Sequence, residues 1–114
     1  MTPDSTNANR AECVEILFTI DDQGKAEELT ARLVELRLIA CGQISAPVTS
    51  IYRWQGNVEH ATEWKVTLKT KRANQPAVVR FLLENHPYDV PEIIAHPLEI
   101  LNPAYQQWLE EETR

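Results

Sequence analysis

Residues 39–70 read IACGQISAPVTSIYRWQGNVEHATEWKVTLKT. Ile44, Ala46, Val48, Ser50, Tyr52 and Trp54 fall on one parity, and Gln43, Thr49 and Arg53 on the other, which is the period-two pattern of a strand. Pro47 must then sit at an edge, a bulge or a bend, because proline cannot donate to a ladder. Gln55-Gly56-Asn57 is a turn. From 58 to 70 the alternation resumes, with Val58, Trp64, Val66 and Leu68 on one face and Glu59, Glu63, Lys65 and Lys69 on the other. Strands over 39–54 and 58–70 far exceed the usual length of about five or six residues. A hairpin this long reaches beyond a compact domain of this size. Its far end calls for a partner, and a copy of the same chain is the simplest one.

The flanking segments complete the pattern. Residues 13–20, CVEILFTI, are short, apolar and rich in β-branched side chains, as in a largely buried strand. Asp21-Asp22 offers a helix N-cap, and Ala26, Leu29, Leu33, Val34 and Leu36 form an apolar stripe for a helix running to about Leu38. Beyond the hairpin, Asn74 and Pro76 open a second helix, which His86-Pro87 stops, since a residue before proline avoids helical geometry. Residues 92–100 read as a shorter strand in which Pro97 marks an edge. Asn102-Pro103 starts a closing helix that carries Tyr105, Trp108 and Leu109 on one face. The order βαββαβ plus a short C-terminal helix is the split βαβ pattern of an α+β, ferredoxin-like fold with an antiparallel sheet. Helices cover one face of that sheet. The other face, carrying Tyr52 or Trp54 and Trp64, needs another cover.

With 114 residues, the chain suits one domain over 13–114 behind a flexible N-terminal tail over 1–12. Hydrophobic residues at 43% and charged residues at 25% are ordinary for a globular chain. Seventeen acidic against eleven basic residues give a net charge of -6, so neither nucleic acid nor an acidic membrane surface is expected as a main partner. No stretch of about 18 apolar residues is present, so no membrane insertion is expected. The polar start lacks a secretory pattern, and two cysteines are too few for a disulfide scaffold, which together point to the cytoplasm.

The chain has no Gly-rich phosphate loop, no CxxC, no HExxH and no GxSxG. No nucleophile–base pair is identifiable, so an enzyme is not expected, nor an organic cofactor. The reactive side chains are Cys13, Cys41, His60, His86 and His96. A thiolate with imidazoles suits copper or zinc. Against that, Cys41 also reads as a small core residue, His86 as a helix-terminal imidazole, His60 as solvated and His96 as a satisfied structural histidine. The three tryptophans read as packing anchors of the kind oligomer interfaces favour. The expected interface with further copies of the chain falls on Tyr52, Trp54 and Trp64.

Five segments, ARLVELRLIAC (31–41), SIYRWQGNVE (50–59), Glu63, Lys69-Thr70 and HPYDVPEIIA (86–95), together resemble the CutA family of divalent-cation tolerance proteins, and Tyr105 and Trp108 fit as well. The resemblance spans roughly residues 14–109. It implies a ferredoxin-like subunit in a PII-like homotrimer whose long hairpins pair across subunits. It also implies inter-subunit clefts, for which Cys41, Trp54, Glu63, Lys69, His86, Tyr88 and Glu92 are the matching residues. Copper-binding members are expected to use a first-strand Cys and a His-His pair. The matching positions here are Phe18, Asn85 and His86, which leaves Cys41 and His86 as the soft metal ligands of the shared pattern. Gly42-Gln43 and Leu101 also depart from that pattern. The expectation is therefore a trimer that binds a divalent cation, copper foremost, and contributes to metal tolerance. The alternative is a PII-like signalling or scaffold module that takes a small anion or a partner protein at its clefts, with Lys69 and Arg53 supplying charge.

Overall fold

The structure is a computed structural model, and it describes residues 12–114. The expected tail therefore lies outside the described residues, apart from Glu12. The elements are β1 (Cys13–Ile20), α1 (Gln23–Glu35), β2 (Cys41–Trp54), β3 (Asn57–Lys71), a 3-10 turn (Arg72–Asn74), α2 (Gln75–Asn85), β4 (Ile93–Leu98) and α3 (Pro103–Glu112). The sheet is antiparallel in the order β2-β3-β1-β4, as the split βαβ reading requires. Both edge strands contain a proline, Pro47 in β2 and Pro97 in β4, where a missing donor costs no ladder bond.

The core lies between one sheet face and helices α1 and α2. Val14, Ile16, Phe18 and Ile20 of β1 stand beside Val66 and Leu68 of β3, all buried, against Leu29 and Leu33 of α1 and Val78 and Leu82 of α2. Each such side chain contributes about 1.5–3 kcal/mol on burial. Asp22 caps α1, its side chain accepting from the Lys25 N–H at 2.9 Å. The helix stops three residues earlier than its apolar stripe suggests. Leu38 N–H bonds to Leu33 O and Arg37 N–H to Val34 O, with Arg37 left-handed at φ 60°, a Schellman ending that turns Leu38 back into the core. Asn74 does not cap α2 with its side chain. Its Nδ2 donates instead to Thr70 Oγ1 and the Arg114 carbonyl, tying the helix start to the C-terminal segment.

The hairpin shows one departure that matters for function. Ile44 pairs with Val66, but Pro47 pairs with Trp64, so β2 carries one extra residue there. Ser45 Oγ accepts the Lys65 N–H at 2.9 Å and donates to the Ala46 carbonyl, which stabilises the bulge. One inserted residue reverses the facing of everything after it. Ile44 therefore shares the helix-covered face with Val66, while Val48, Ser50, Tyr52 and Trp54 lie on the opposite, open face. The single-face reading of Ile44 through Trp54 is corrected accordingly. Trp64 is corrected too: it pairs with Ile20 and stands on the face of Val66 and Leu68, not on that of Tyr52 and Trp54. The turn is tight, with Gln55 at φ 50° and Gly56 at φ 84°, both central positions left-handed as a type I′ turn needs. The molecule measures 52 × 32 × 24 Å, and Ile51 and Val58 near the hairpin tip stay largely exposed.

Candidate functional site

The open face divides into two regions. At the end near Cys13, α3 lies across it. Leu109 is buried with Cys13 and Ala40, and Leu98, Ile100 and Tyr105 pack around them. One row of residues crosses all four strands here: Cys41, Lys69, Glu15 and His96 are successive cross-strand partners. Lys69 Nζ lies 3.3 Å from Glu15 Oε2 and donates to Gln43 Oε1 at 2.9 Å, while His96 Nε2 lies 3.0 Å from Glu15 Oε1. Cys41 Sγ stands 3.6 Å from the Tyr105 hydroxyl. Burial, then the hydrogen bond to Cys41, push the Tyr105 phenol up to about 12. Burial also raises the Cys13 thiol, with Glu110 and Glu12 adding to it, and that makes it a poor nucleophile. Both cysteines are free thiols.

Beyond the cover of α3, the open face forms one wall of a cleft of about 480 Å³. Thr19 of β1, Ala61 and Glu63 of β3, and Ser50, Tyr52 and Trp54 of β2 form that wall. The loop after α2 supplies Tyr88, Asp89, Val90 and Glu92 opposite it, and Asp21 closes one side. Glu63 is only 7% exposed, and the Tyr88 hydroxyl donates to its Oε2 at 2.7 Å. Burial, then the hydrogen bond and charge of Glu63, raise the Tyr88 phenol well above its ordinary value, so it keeps its proton and stays a donor.

His86 sets the position of Tyr88. It is the buried C-cap of α2, and Pro87 follows it. Its Nε2 lies 2.7 Å from the Thr19 carbonyl, and its Nδ1 accepts the Tyr88 N–H at 3.0 Å. A carbonyl only accepts, so Nε2 carries the proton, and both ring nitrogens are engaged. The ring meets Phe18 and Tyr88 edge-on, with centroids 5.8 and 4.6 Å apart.

The expected site residues thus separate into three places. Trp54, Glu63, Tyr88 and Glu92 line one cleft, with Tyr52 beside Trp54. Lys69 lies away from it, in the row on Glu15. Cys41 and His86 do not meet within one chain: Cys41 lies in the row of Glu15, whereas His86 holds Thr19, four residues or about 13 Å further along β1. Among the described residues, no three of His, Cys, Asp and Glu are grouped to hold a metal ion. Sequence reasoning missed Asp21, Asp89, Thr19 and Ser50 as lining. Asp21 and Asp89 sit in connections with no periodicity to place them, and the facing of Ser50 is set by the bulge. Among the described residues no helix is long and apolar enough to cross a membrane.

The family model described as "CutA1 divalent ion tolerance protein" matches residues 14–112. The chain belongs to this family. Protein CutA of Mus musculus is 38% identical over 95 residues, covering 83% of this chain and 54% of that protein, so the chain spans about half the length of this mammalian relative. Divalent-cation tolerance protein CutA of Escherichia coli O139:H28 is 33% identical over 106 residues, covering 93% of this chain and 94% of that protein. The crystal structure of CutA1, a stable protein from the psychrotrophic bacterium Shewanella sp. SIB1, superposes with a TM-score of 0.88 at 34% identity, covering 91% of this chain and 97% of that one. The α+β, ferredoxin-like fold is therefore the CutA1 fold. The family is named for tolerance of divalent ions and not for a catalysed reaction.

Proposed function

We propose that the protein is a non-enzymatic, cytoplasmic homotrimer that contributes to divalent-cation tolerance by binding the cation, copper foremost, at clefts completed by neighbouring subunits. The observation that carries this reading is the lining of the 480 Å³ cleft: Asp21, Glu63, Asp89 and Glu92 contribute carboxylates, and no Lys, Arg or His is among its lining residues. Such a lining attracts cations. It gives no support to the alternative of a small anionic ligand. Lys69 is paired elsewhere, and Arg53 alternates to the hairpin face opposite Tyr52 and Trp54.

The grouping of donors favours a site shared between subunits. Among the described residues, one chain does not bring three metal-ligating side chains together, so a second copy or bound water would complete the coordination. The β2 edge and the exposed apolar tip of the hairpin favour association of copies. Carboxylate and phenol oxygens suit Cu(II) or harder divalent ions better than Cu(I). The soft donors on the same face are Cys41, beside Tyr105, and Cys13, buried under α3. Native mass spectrometry of reduced protein, with and without added Cu(I), Cu(II) and Zn(II), tests both parts. A trimer that takes up one ion per subunit, and loses it in Glu63→Gln, supports the reading. A bare trimer sinks the cation role, and a monomer sinks the assembly.

A further inference from the structure

The hairpin above the bulge has a second way to pair. Ile44 opposes Val66 and Pro47 opposes Trp64, so Ser45 and Ala46 together face the single residue Lys65. If Ser45 alone opposed Lys65 and Ala46 opposed Trp64, the bulge would vanish and every later partner would move by one. Arg53 would then oppose Asn57, and Trp54-Gln55-Gly56 would form a three-residue loop, a common hairpin loop whose last residue is left-handed. Gly56 is left-handed already at φ 84°, and Gln55, strained at φ 50°, would return to ordinary right-handed turn geometry. Packing within one chain does not forbid this slip. No residue of β2 is buried, and Ile51 at 63% is more exposed than Tyr52 or Trp54 at 44% and 43%. A strand without a buried face specifies its register weakly.

Two side chains oppose the slip. Ser45 Oγ accepts the Lys65 N–H at 2.9 Å and donates to the Ala46 carbonyl, so the bulge leaves that N–H paired. Pro47 has no N–H, and successive residues of a strand turn their N–H groups alternately toward and away from a neighbouring strand. Opposite Trp64 on an edge strand, Pro47 costs no ladder bond. Moved by one, to oppose Glu63, it would stand where the ladder needs a donor. We infer that Ser45 and Pro47 are positioning residues that select the hairpin register, and through it the side chains that wall the cleft. In the selected register Ser50, Tyr52 and Trp54 line it. In the slipped register Thr49, Ile51 and Arg53 would take that face, replacing a neutral aromatic wall with one that carries a guanidinium. The inference concerns how the cleft is built and does not depend on which ligand fills it.

The test is NMR of the full-length protein, reading cross-strand nuclear Overhauser contacts. The wild type is expected to show Thr49 against Thr62 and Ile51 against His60. In the double variant Ser45→Ala with Pro47→Ala, these are expected to give way to Val48 against Thr62 and Ser50 against His60. Ser45→Thr keeps a hydroxyl and is expected to keep the wild-type contacts. Deleting Ala46 from the double variant is the rescue. Position 45 then opposes Lys65 in a regular ladder, and the contact of Thr49 with Thr62 is expected to return. A double variant that keeps that contact overturns the inference, even if its unfolding midpoint falls, because Ser45 and Pro47 would then be merely structural. A slipped register that persists after Ala46 is removed overturns it as well. If the double variant does not fold, the single variants decide. Exchange spectroscopy is expected to show a slipped population of about 1% or more in Ser45→Ala or Pro47→Ala, and its absence from both overturns the inference.

Discussion

Arg37 and Arg114 hold each other's chain ends in place. The Arg114 N–H donates to the Arg37 carbonyl and its Nε to the Leu36 carbonyl, each at 2.9 Å. The Arg37 guanidinium returns two bonds to the carbonyls of Glu111 and Glu112 at the end of α3. This exchange explains why arginine, and not glycine, occupies the left-handed position that ends α1. The backbone strain of about 1–2 kcal/mol is offset by capping a second helix.

Replacing Arg37 by alanine keeps the strain and removes both bonds to α3. Arg37→Ala is expected to lower stability by about 1–3 kcal/mol, and Arg37→Gly by less, because glycine relieves the left-handed backbone. Urea unfolding of the two variants checks the order. If the glycine variant is the less stable of the two, strain at this position is negligible.

Gly42 lies directly under α1, with no room for a side chain. A Cβ there would collide with Thr30 Cγ2 and lie 3.0 Å from Leu68 Cδ2. Gly42→Ala is therefore expected to cost about 1–3 kcal/mol through overpacking, visible as a lower unfolding midpoint with an unchanged denaturant slope. A neutral result would mean that Thr30 rotates freely out of the way.

His86 organises the cleft through two hydrogen bonds. His86→Ala leaves the buried Thr19 carbonyl without its partner and frees the Tyr88 backbone, so a loss of about 2–4 kcal/mol is expected. Cation binding at the cleft should weaken in parallel, because Tyr88 no longer holds Glu63. Unchanged stability and binding would show that Pro87 alone fixes the loop.

Two tyrosines make stability depend on alkaline pH. Folding raises both phenols above their ordinary value of 10.0, Tyr105 to about 12 and Tyr88 further. Between the unfolded and folded values the native state binds more protons. Their contribution is therefore complete below pH 10 and declines as pH rises above it. The unfolding midpoint of the wild type is expected to fall steeply above pH 10, and less steeply in Tyr88→Phe and Tyr105→Phe. Parallel profiles for all three would mean that neither phenol is perturbed.

The fold was legible because its signals are local. Asp22, His86-Pro87 and Asn102-Pro103 mark helix ends, and alternation marks the strands. The end of α1 was misjudged because Arg37 carries no sign of a left-handed residue until α3 is docked against it. The open-face wall was harder to read. Periodicity alone puts Ile44 and Trp54 together, and only the pairing of Pro47 with Trp64 reveals the extra residue that parts them. Within one chain, Trp54, Glu63, Tyr88 and Glu92 line the same cleft, whereas Lys69 is drawn off by Glu15. The burial of Glu63 had no precursor in the sequence, since it alternates with Glu59, Lys65 and Lys69 as part of a charged strand face. It arises from a loop folding over the strand.

The bulge at Ser45–Ala46 also sets what evolution is free to change. Below it, β2 is locked to the core through Ile44 and Gly42. Above it, the two hairpin strands contact each other far more than any helix. Adding or removing one matched pair of residues on each side of the turn, twice over, would preserve which side chains face the cleft and leave the core untouched. The height of the aromatic wall is thus an adjustable dimension of this architecture. A lineage could reshape what the cleft accepts by lengthening a ribbon, with no repacking of the interior.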